Sequence, residues 1–189
     1  MLICVPKETM PGERRAALVP ASVKKLVSAG FVVNVEAGLG GYAGYTDAAY
    51  AEAGASVETD RAAMLGRADI VLRVRKPDPA EVALLRSGSI HISFLDPFNE
   101  GALVQSLAAQ GVTAISMEMI PRTTRAQKMD ALSSQASLAG YVTVILAATH
   151  SPKILPMTTM MSRSSILAVS RLVSPLLTST SPKPLNFFD

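Results

Sequence analysis

Short apolar runs rich in β-branched residues alternate with alanine-rich helical stretches along the first 116 residues of the chain. Strands are expected at 2–5, 31–36, 55–58, 69–74, 89–95 and 112–116, and helices at about 21–29, 47–53, 60–65, 79–85 and 100–109. Strands that are apolar on both faces and separated by helices are typical of a parallel sheet covered on both sides. The alternation therefore predicts a doubly wound, mostly parallel α/β domain of the flavodoxin/Rossmann-like kind.

A longer helix is expected to begin somewhere in 124–134 and to end near Thr149. Its apolar residues recur at helical spacing and predict a single apolar stripe, formed by Met129, Leu132, Ala136, Ala139, Val142 and Leu146. Such a stripe needs a partner surface. We therefore expect an α/β domain over residues 1–150 that ends in a long helix with an apolar face.

Residues 151–189 are rich in Ser, Thr and Pro and show no such alternation. We expect a divergent, poorly structured tail, with a short amphipathic helix at 165–173. The tail also carries the whole net charge of +3, since it contains four cationic residues and one acidic residue, Asp189. The pI near 9.2 therefore reports the tail, and it gives no reason to expect nucleic-acid binding by the domain.

Several classes of function find no support. The one cysteine, Cys4, excludes an internal disulfide and is interpreted as a buried small hydrophobe in a reducing compartment. Charged residues follow the first apolar run at once, so no secretory signal is expected. Arginines and prolines interrupt 154–177, so no membrane span is expected. His91 and His150 lack suitably spaced partners, so no metal site is expected.

A glycine-rich segment, Gly38–Ala43, fits the relaxed dinucleotide pattern G-x-G-x-x-A, with Glu58 about 20 residues further on. A pyrophosphate site needs a helix that begins directly at the glycines. Here Gly44 and Tyr45 intervene before a helix start at Thr46. We favour a connecting loop and keep the cofactor site as the alternative.

Four polar side chains cluster near the start of the long helix: Arg122, Gln127, Asp130 and Ser133. A guanidinium, an amide, a carboxylate and a hydroxyl can together hold a flat, amide-bearing group without supplying a nucleophile. A second interpretation concerns Thr124 and Gln127, which have the spacing of a capping box. We favour a positioning loop for a ligand and leave the capping box open.

Further charged and polar residues lie at or just after the ends of three predicted strands, at the edge where parallel strands present ligand loops. They are Lys7 to Arg15 after the first strand, Arg73, Arg75 and Lys76 at the end of the fourth, and Asp96 and Asn99 at the end of the fifth. These strand ends indicate a cleft that could include Arg15 and Arg75. A solvated charged loop is an equally good explanation of the first group.

Four segments carry a family resemblance: 6–20, 35–55, 71–77 and, most specifically, PRTTRAQKMDALSSQASLAGY at 121–141. They resemble the α subunit, or NAD(H)-binding component, of the proton-translocating NAD(P) transhydrogenases, with alanine dehydrogenases as more distant relatives. The resemblance covers roughly residues 1–157. It implies a doubly wound first domain and, beyond the long helix, a second Rossmann domain that carries the glycine-rich NAD turn.

The resemblance also implies roles. Arg122, Gln127, Asp130 and Ser133 match the loop that contacts the nicotinamide and nearby ribose of NAD(H), so they are expected to position the ring during hydride transfer. NADP(H) is expected on a partner component. A homodimer, contact with the β and membrane components, and a cytoplasmic location peripheral to the inner membrane are expected as well.

Two departures from the family pattern qualify these expectations. Asp96 stands where alanine dehydrogenases have a catalytic histidine, although Arg15 and Arg75 match basic substrate ligands, so amino-acid oxidation is disfavoured. The sequence after residue 157 does not resemble the family's continuation, so we expect a truncated N-terminal part that is weak or inactive alone. The alternatives are a non-enzymatic dimerisation or interaction module and an alanine dehydrogenase remnant.

Overall fold

The computed structural model describes residues 1–150. The strands are β1 Leu2–Val5, β2 Val32–Glu36, β3 Ser56–Glu58, β4 Ile70–Arg75, β5 Ile90–Phe94 and β6 Thr113–Ser116. The α-helices are α1 Pro20–Ser28, α2 Asp47–Glu52, α3 Arg61–Arg67, α4 Pro79–Val82, α5 Gly101–Ala109 and α6 Ala131–His150. Short 3₁₀ helices cover Gly41–Ala43, Met117–Met119 and Gln127–Met129. The expected tail and its helix at 165–173 lie outside the described residues.

The six strands form one sheet in the order β3-β2-β1-β4-β5-β6, and every neighbouring pair is parallel. The order reverses between β1 and β4, so the loops that follow these two strands flank the switch point of the sheet. Ligands of open α/β sheets bind at this place. The predicted doubly wound fold is confirmed.

Helices on both sides bury two apolar clusters against the sheet. One cluster joins Met64 and Leu65 of α3 and Leu107 of α5 to Val71, and it includes Cys4. The other joins Val23 of α1 and Tyr50 of α2 to residues of β1 and β2. Cys4 is completely buried, as expected, and burial raises the pKa of its thiol to about 11, which makes it an inert core residue.

The strand β6 closes one side of this sheet and is the least covered of the six strands. Thr113, Ala114 and Ile115 are all exposed, so the strand is open to solvent on both faces. Ile115 retains 41% of its surface. Through residues 1–150, β6 pairs only with β5.

The chain divides into two units, Met1–Leu132 and Ser133–Asp189, and α6 lies almost entirely in the second. The predicted single stripe is wrong, because Leu138, Tyr141 and Val144, which lie off the stripe, are also apolar and more than half exposed. Met129 precedes the helix. Apolar residues lie on every side of the helix, so their spacing in the sequence does not identify a single face that would pack against a partner.

Within the described part of the chain, α6 is also the one helix long and apolar enough to cross a membrane. The criterion rests on length and composition alone, and the core helix of a soluble protein meets it too. It is therefore weak support for a span.

Candidate functional site

The loop that follows β1 is fastened to the end of β4 by its own carboxylates. Glu8 accepts hydrogen bonds from the backbone N–H groups of Val74, at 2.6 Å, and of Arg75, at 3.2 Å. A carboxylate that caps two backbone donors fixes the loop against the strand. The structure thus brings together two of the three strand ends that the sequence indicated, on either side of the switch point.

Glu13 makes the second connection between the same loop and β4. Its carboxylate accepts from Nε and Nη2 of Arg15, at 2.7 and 2.6 Å, and from Nε of Arg75, at 2.8 Å. The Glu13 side chain is 4% exposed, whereas both arginines remain more than two-fifths exposed. The Arg15 hydrogen bonds lower the pKa of Glu13 to about 2, against the opposing effect of burial. Arg15 and Arg75 are therefore neighbours, as the predicted cleft requires.

Arg61, at the start of α3, joins a strand end, a loop and a helix at the carboxyl edge of the sheet. It bonds Glu36 at the end of β2 at 2.5 Å, the carbonyl oxygen of Lys7 at 2.9 Å, and Glu81 of α4 at 2.5 Å. Glu36 in turn accepts from the backbone N–H of Lys7 at 2.7 Å. Sequence reasoning missed Arg61, because its partners lie 20 to 54 residues away.

Glu81 extends this network to Arg73, whose side chain is 2% exposed. Burial acts to raise the pKa of Glu81, but the guanidinium groups of Arg73 and Arg61 outweigh it and hold that pKa below its ordinary value. His91 of β5 is completely buried, and its Nε2 lies 3.2 Å from Oγ of Ser93. Burial, aided by the charge of Arg73, lowers the pKa of His91 to about 4. His91 is thus a neutral core residue.

Asp96, directly after β5, has a left-handed backbone with φ of +53°, unlike every other non-glycine residue in the described chain. Glu118 accepts from the backbone N–H groups of Leu95 and Asp96. The Asp96 carboxylate accepts from Nδ2 of Asn99 at 2.9 and 3.1 Å. A strained residue at a strand end is maintained by such contacts, and strain of this kind clusters at functional sites.

The glycine-rich segment Gly38–Ala43 is a connecting loop. Its last three residues form a 3₁₀ turn that ends at Gly44, and α2 begins only at Asp47. Thr46 caps α2, since its hydroxyl accepts from the backbone N–H of Ala49 at 3.3 Å. No α-helix begins at the glycines to face a pyrophosphate, so the geometry supports the loop over the dinucleotide site.

The segment 121–134 is a series of tight turns followed by α6. The structure does not support the alternative interpretation as a capping box, because Gln127 opens a separate 3₁₀ turn and α6 begins four residues later, at Ala131. Each of these short turns is closed by its own backbone bonds, such as Ala126 N–H to the carbonyl of Thr123 at 3.0 Å. Arg122 and Gln127 are exposed and Asp130 is half-buried.

Ser133, the fourth predicted site residue, belongs to the second unit, where it is exposed on the first turn of α6. Arg122, Gln127 and Asp130 belong to the first unit. Their convergence with Ser133 on one ligand remains a prediction.

Taken together, the parallel sheet, the switch point and the charged loops around it define an open, Rossmann-like α/β domain. The chain belongs to the alanine dehydrogenase/PNT family, whose N-terminal domain model matches residues 4–139.

Relatives of two kinds align with the chain. An NAD(P) transhydrogenase α-subunit protein of Rhodospirillum rubrum is 41% identical over 178 residues, which cover 92% of this chain and 46% of the relative. The alanine dehydrogenase of Halomonas elongata is 36% identical and covers 76% of this chain and 38% of its own. The first alignment extends past residue 157, where the resemblance was expected to end.

A solved structure agrees with these alignments. The transhydrogenase of Sinorhizobium meliloti matches 87% of this chain with a TM-score of 0.77 and 44% identity, and the match takes in 48% of that protein. The chain thus spans about half the length of the transhydrogenase relatives it matches.

Proposed function

We propose that this chain supplies the nicotinamide-positioning segment on the NAD(H) side of a proton-translocating NAD(P) transhydrogenase. The observation that carries the proposal is the polar segment 121–134, which lies inside the family match and presents Arg122 and Gln127 to solvent. NADP(H) is bound by a partner component. The chain lies on the cytoplasmic side of the inner membrane and meets the β and membrane components there.

Hydride transfer between two nicotinamide rings needs alignment more than acid–base chemistry, because the cofactors carry the reacting bonds. The protein must hold the rings at about 3 to 3.5 Å. The donors of Arg122 and the amide of Gln127 suit the nicotinamide carboxamide, and Asp130 and Ser133 suit the ribose hydroxyls. None of the four acts as a nucleophile.

The isolated chain binds NAD(H) weakly in this proposal. Its glycine-rich loop does not open an α-helix, so the described residues offer no cradle for the pyrophosphate. Calorimetric titration of the chain with NADH tests this, with a full-length transhydrogenase α subunit measured alongside. Equal affinity of the two proteins would refute the proposed weakness.

A pair of variants tests the positioning segment itself. Arg122→Ala should reduce the rate of hydride transfer from NADPH to NAD⁺ in a reconstituted transhydrogenase at least about tenfold. A loss of this size corresponds to the free energy of one charge-assisted hydrogen bond. Arg125→Ala removes the same charge from the same exposed segment and serves as the control. Equal losses in both variants would assign the effect to net charge and exclude a positioning role for Arg122.

A second candidate is a non-enzymatic homodimerisation module. The exposed apolar surface of α6, including Leu138, Tyr141 and Val144, favours it. Sedimentation equilibrium decides between a monomer and a dimer, and Tyr141→Glu should dissociate a dimer that α6 forms. An alanine dehydrogenase remnant would show alanine-dependent reduction of NAD⁺, which we do not expect.

A further inference from the structure

A cavity of about 370 Å³ lies beside the loop that follows β1. It is lined by the loop residues Lys7 to Arg14 and by Tyr42, which belongs to the glycine-rich loop after β2. The volume is that of a small-molecule site. Its charged lining consists of two carboxylates, Glu8 and Glu13, and two cations, Lys7 and Arg14.

Both carboxylates are engaged in the protein's own structure. Glu8 holds the backbone N–H groups of Val74 and Arg75. Glu13 holds the guanidinium groups of Arg15 and Arg75, and it also accepts from the backbone N–H of Arg14 at 3.1 Å. The oxygens of both carboxylates are therefore already occupied by donors on β4 and within the loop, and the charge of Glu13 is balanced by the two arginines.

The two cations are not engaged in this way. Within residues 1–150, neither the ammonium of Lys7 nor the guanidinium of Arg14 has a carboxylate oxygen within 4.0 Å. The Lys7 ammonium lies over the ring of Tyr42, 5.8 Å from its centroid. A cation–π contact of this kind orients the ammonium and leaves its N–H donors available.

A neighbouring cavity of about 220 Å³ gives an internal comparison. It is lined by three cations, and each has a carboxylate partner: Arg73 with Glu81, Arg75 with Glu13, and Lys76 with Glu100. Two adjoining cavities thus differ in one respect. Each cation of the smaller cavity is paired with a carboxylate of the protein, and within residues 1–150 those of the larger cavity are not.

We propose that the larger cavity is a binding site for a small oxyanion, a carboxylate or a phosphate, held by Lys7 and Arg14. Thr9 adds a hydroxyl donor to the same lining. The loop is held in place before any ligand arrives, because Glu8, Glu13 and the contacts of Lys7 with Glu36 and Arg61 fix its backbone. Such pre-organisation lowers the entropic cost of binding. The site does not depend on the proposed role in NAD(H) binding.

The test is an amide chemical-shift titration of the ¹⁵N-labelled chain with inorganic phosphate and, separately, with malonate, at constant ionic strength. Saturable shifts are expected at Thr9, Gly12 and Arg14. The probe that binds more tightly shows whether the site prefers a phosphate or a carboxylate. Shifts that do not saturate, or that spare these amides, would overturn the proposal.

Two matched double variants separate a site from general electrostatics. Lys7→Met with Arg14→Gln should weaken the tighter probe at least about tenfold. Lys24→Gln with Lys25→Gln removes the same charge from the exposed face of α1 and should leave the affinity unchanged. Equal weakening in both would refute the site. The single variant Arg14→Gln, which keeps every backbone bond of the loop, provides the same comparison should the double variant unfold.

Discussion

The carboxylate of Glu13 and the Nε of Arg75 lie 2.8 Å apart across the switch point of the sheet, with the carboxylate almost fully buried. Because Glu13 also holds Arg15, one acidic side chain sets the distance between the two arginines that the sequence placed in a cleft. The ionised carboxylate of Glu13 is therefore one of the contacts that hold the loop after β1 in position.

Replacing Glu13 should show this dependence through pH. The pKa of Glu13 is lowered in the folded chain to about 2 from 4.5, so its contribution to stability is present above pH 4.5 and is lost as the pH falls towards 2. Glu13→Gln should cost about 1 kcal/mol at pH 7 and almost nothing at pH 2. Urea unfolding at the two pH values measures this. Glu52→Gln, at an exposed carboxylate of α2, should show no such convergence.

Arg61 offers a comparison within one helix. Arg61→Ala leaves Glu36 and Glu81 without their shared partner in a partly buried setting, and it should cost about 3 kcal/mol. Arg67→Ala, later in α3, removes an exposed ion pair with Glu58 and should cost less than about 1 kcal/mol. Chemical denaturation of both variants measures the difference. Similar costs would show that the network is no stronger than a surface pair.

The backbone of Asp96 predicts a contrast between two substitutions. Asp96→Asn tolerates a left-handed conformation and keeps an acceptor for Asn99. Asp96→Val places a β-branched side chain at φ of +53° and should cost about 1 to 2 kcal/mol more. Thermal unfolding compares the two. A valine variant as stable as the asparagine variant would show that the strand end relaxes freely.

His91 should destabilise the fold in mild acid. Its pKa falls from 6.5 to about 4 on burial, so between these values the unfolded chain binds a proton that the folded chain does not. Stability should therefore decrease as the pH falls from 6.5 to 4, by about 3 kcal/mol from this residue. His91→Gln should remove that slope. A variant with the wild-type slope would assign the acid sensitivity to other groups.

The sequence predicted the fold well, because its signals are local. Alternating apolar runs, the glycine ends of helices and the cap at Thr46 gave element bounds within a few residues of those observed. The capping box at Thr124 failed, since backbone bonds already close the turns of that segment and α6 begins only at Ala131.

The charged network could not be predicted in the same way. Arg61 meets Glu36, Lys7 and Glu81 only through the order of the strands, and no spacing in the sequence marks those meetings. The ion pairs of Glu13 with Arg15 and Arg75 could not be predicted for the same reason. The sequence located the charged loops and the edge of the sheet on which they lie. Only the structure shows which cations pair with carboxylates, and that Lys7 and Arg14 do not do so within residues 1–150.

The open strand β6 has a practical consequence for handling the protein. No strand within residues 1–150 pairs with its outer edge, so its outward N–H and C=O groups, with Ile115 at 41% exposure, form a template to which a strand from another molecule can add. Concentrated preparations should therefore lose material to edge-to-edge aggregation before the core unfolds. A lysine at position 115 would act as a gatekeeper and extend shelf life without altering the loops at the switch point.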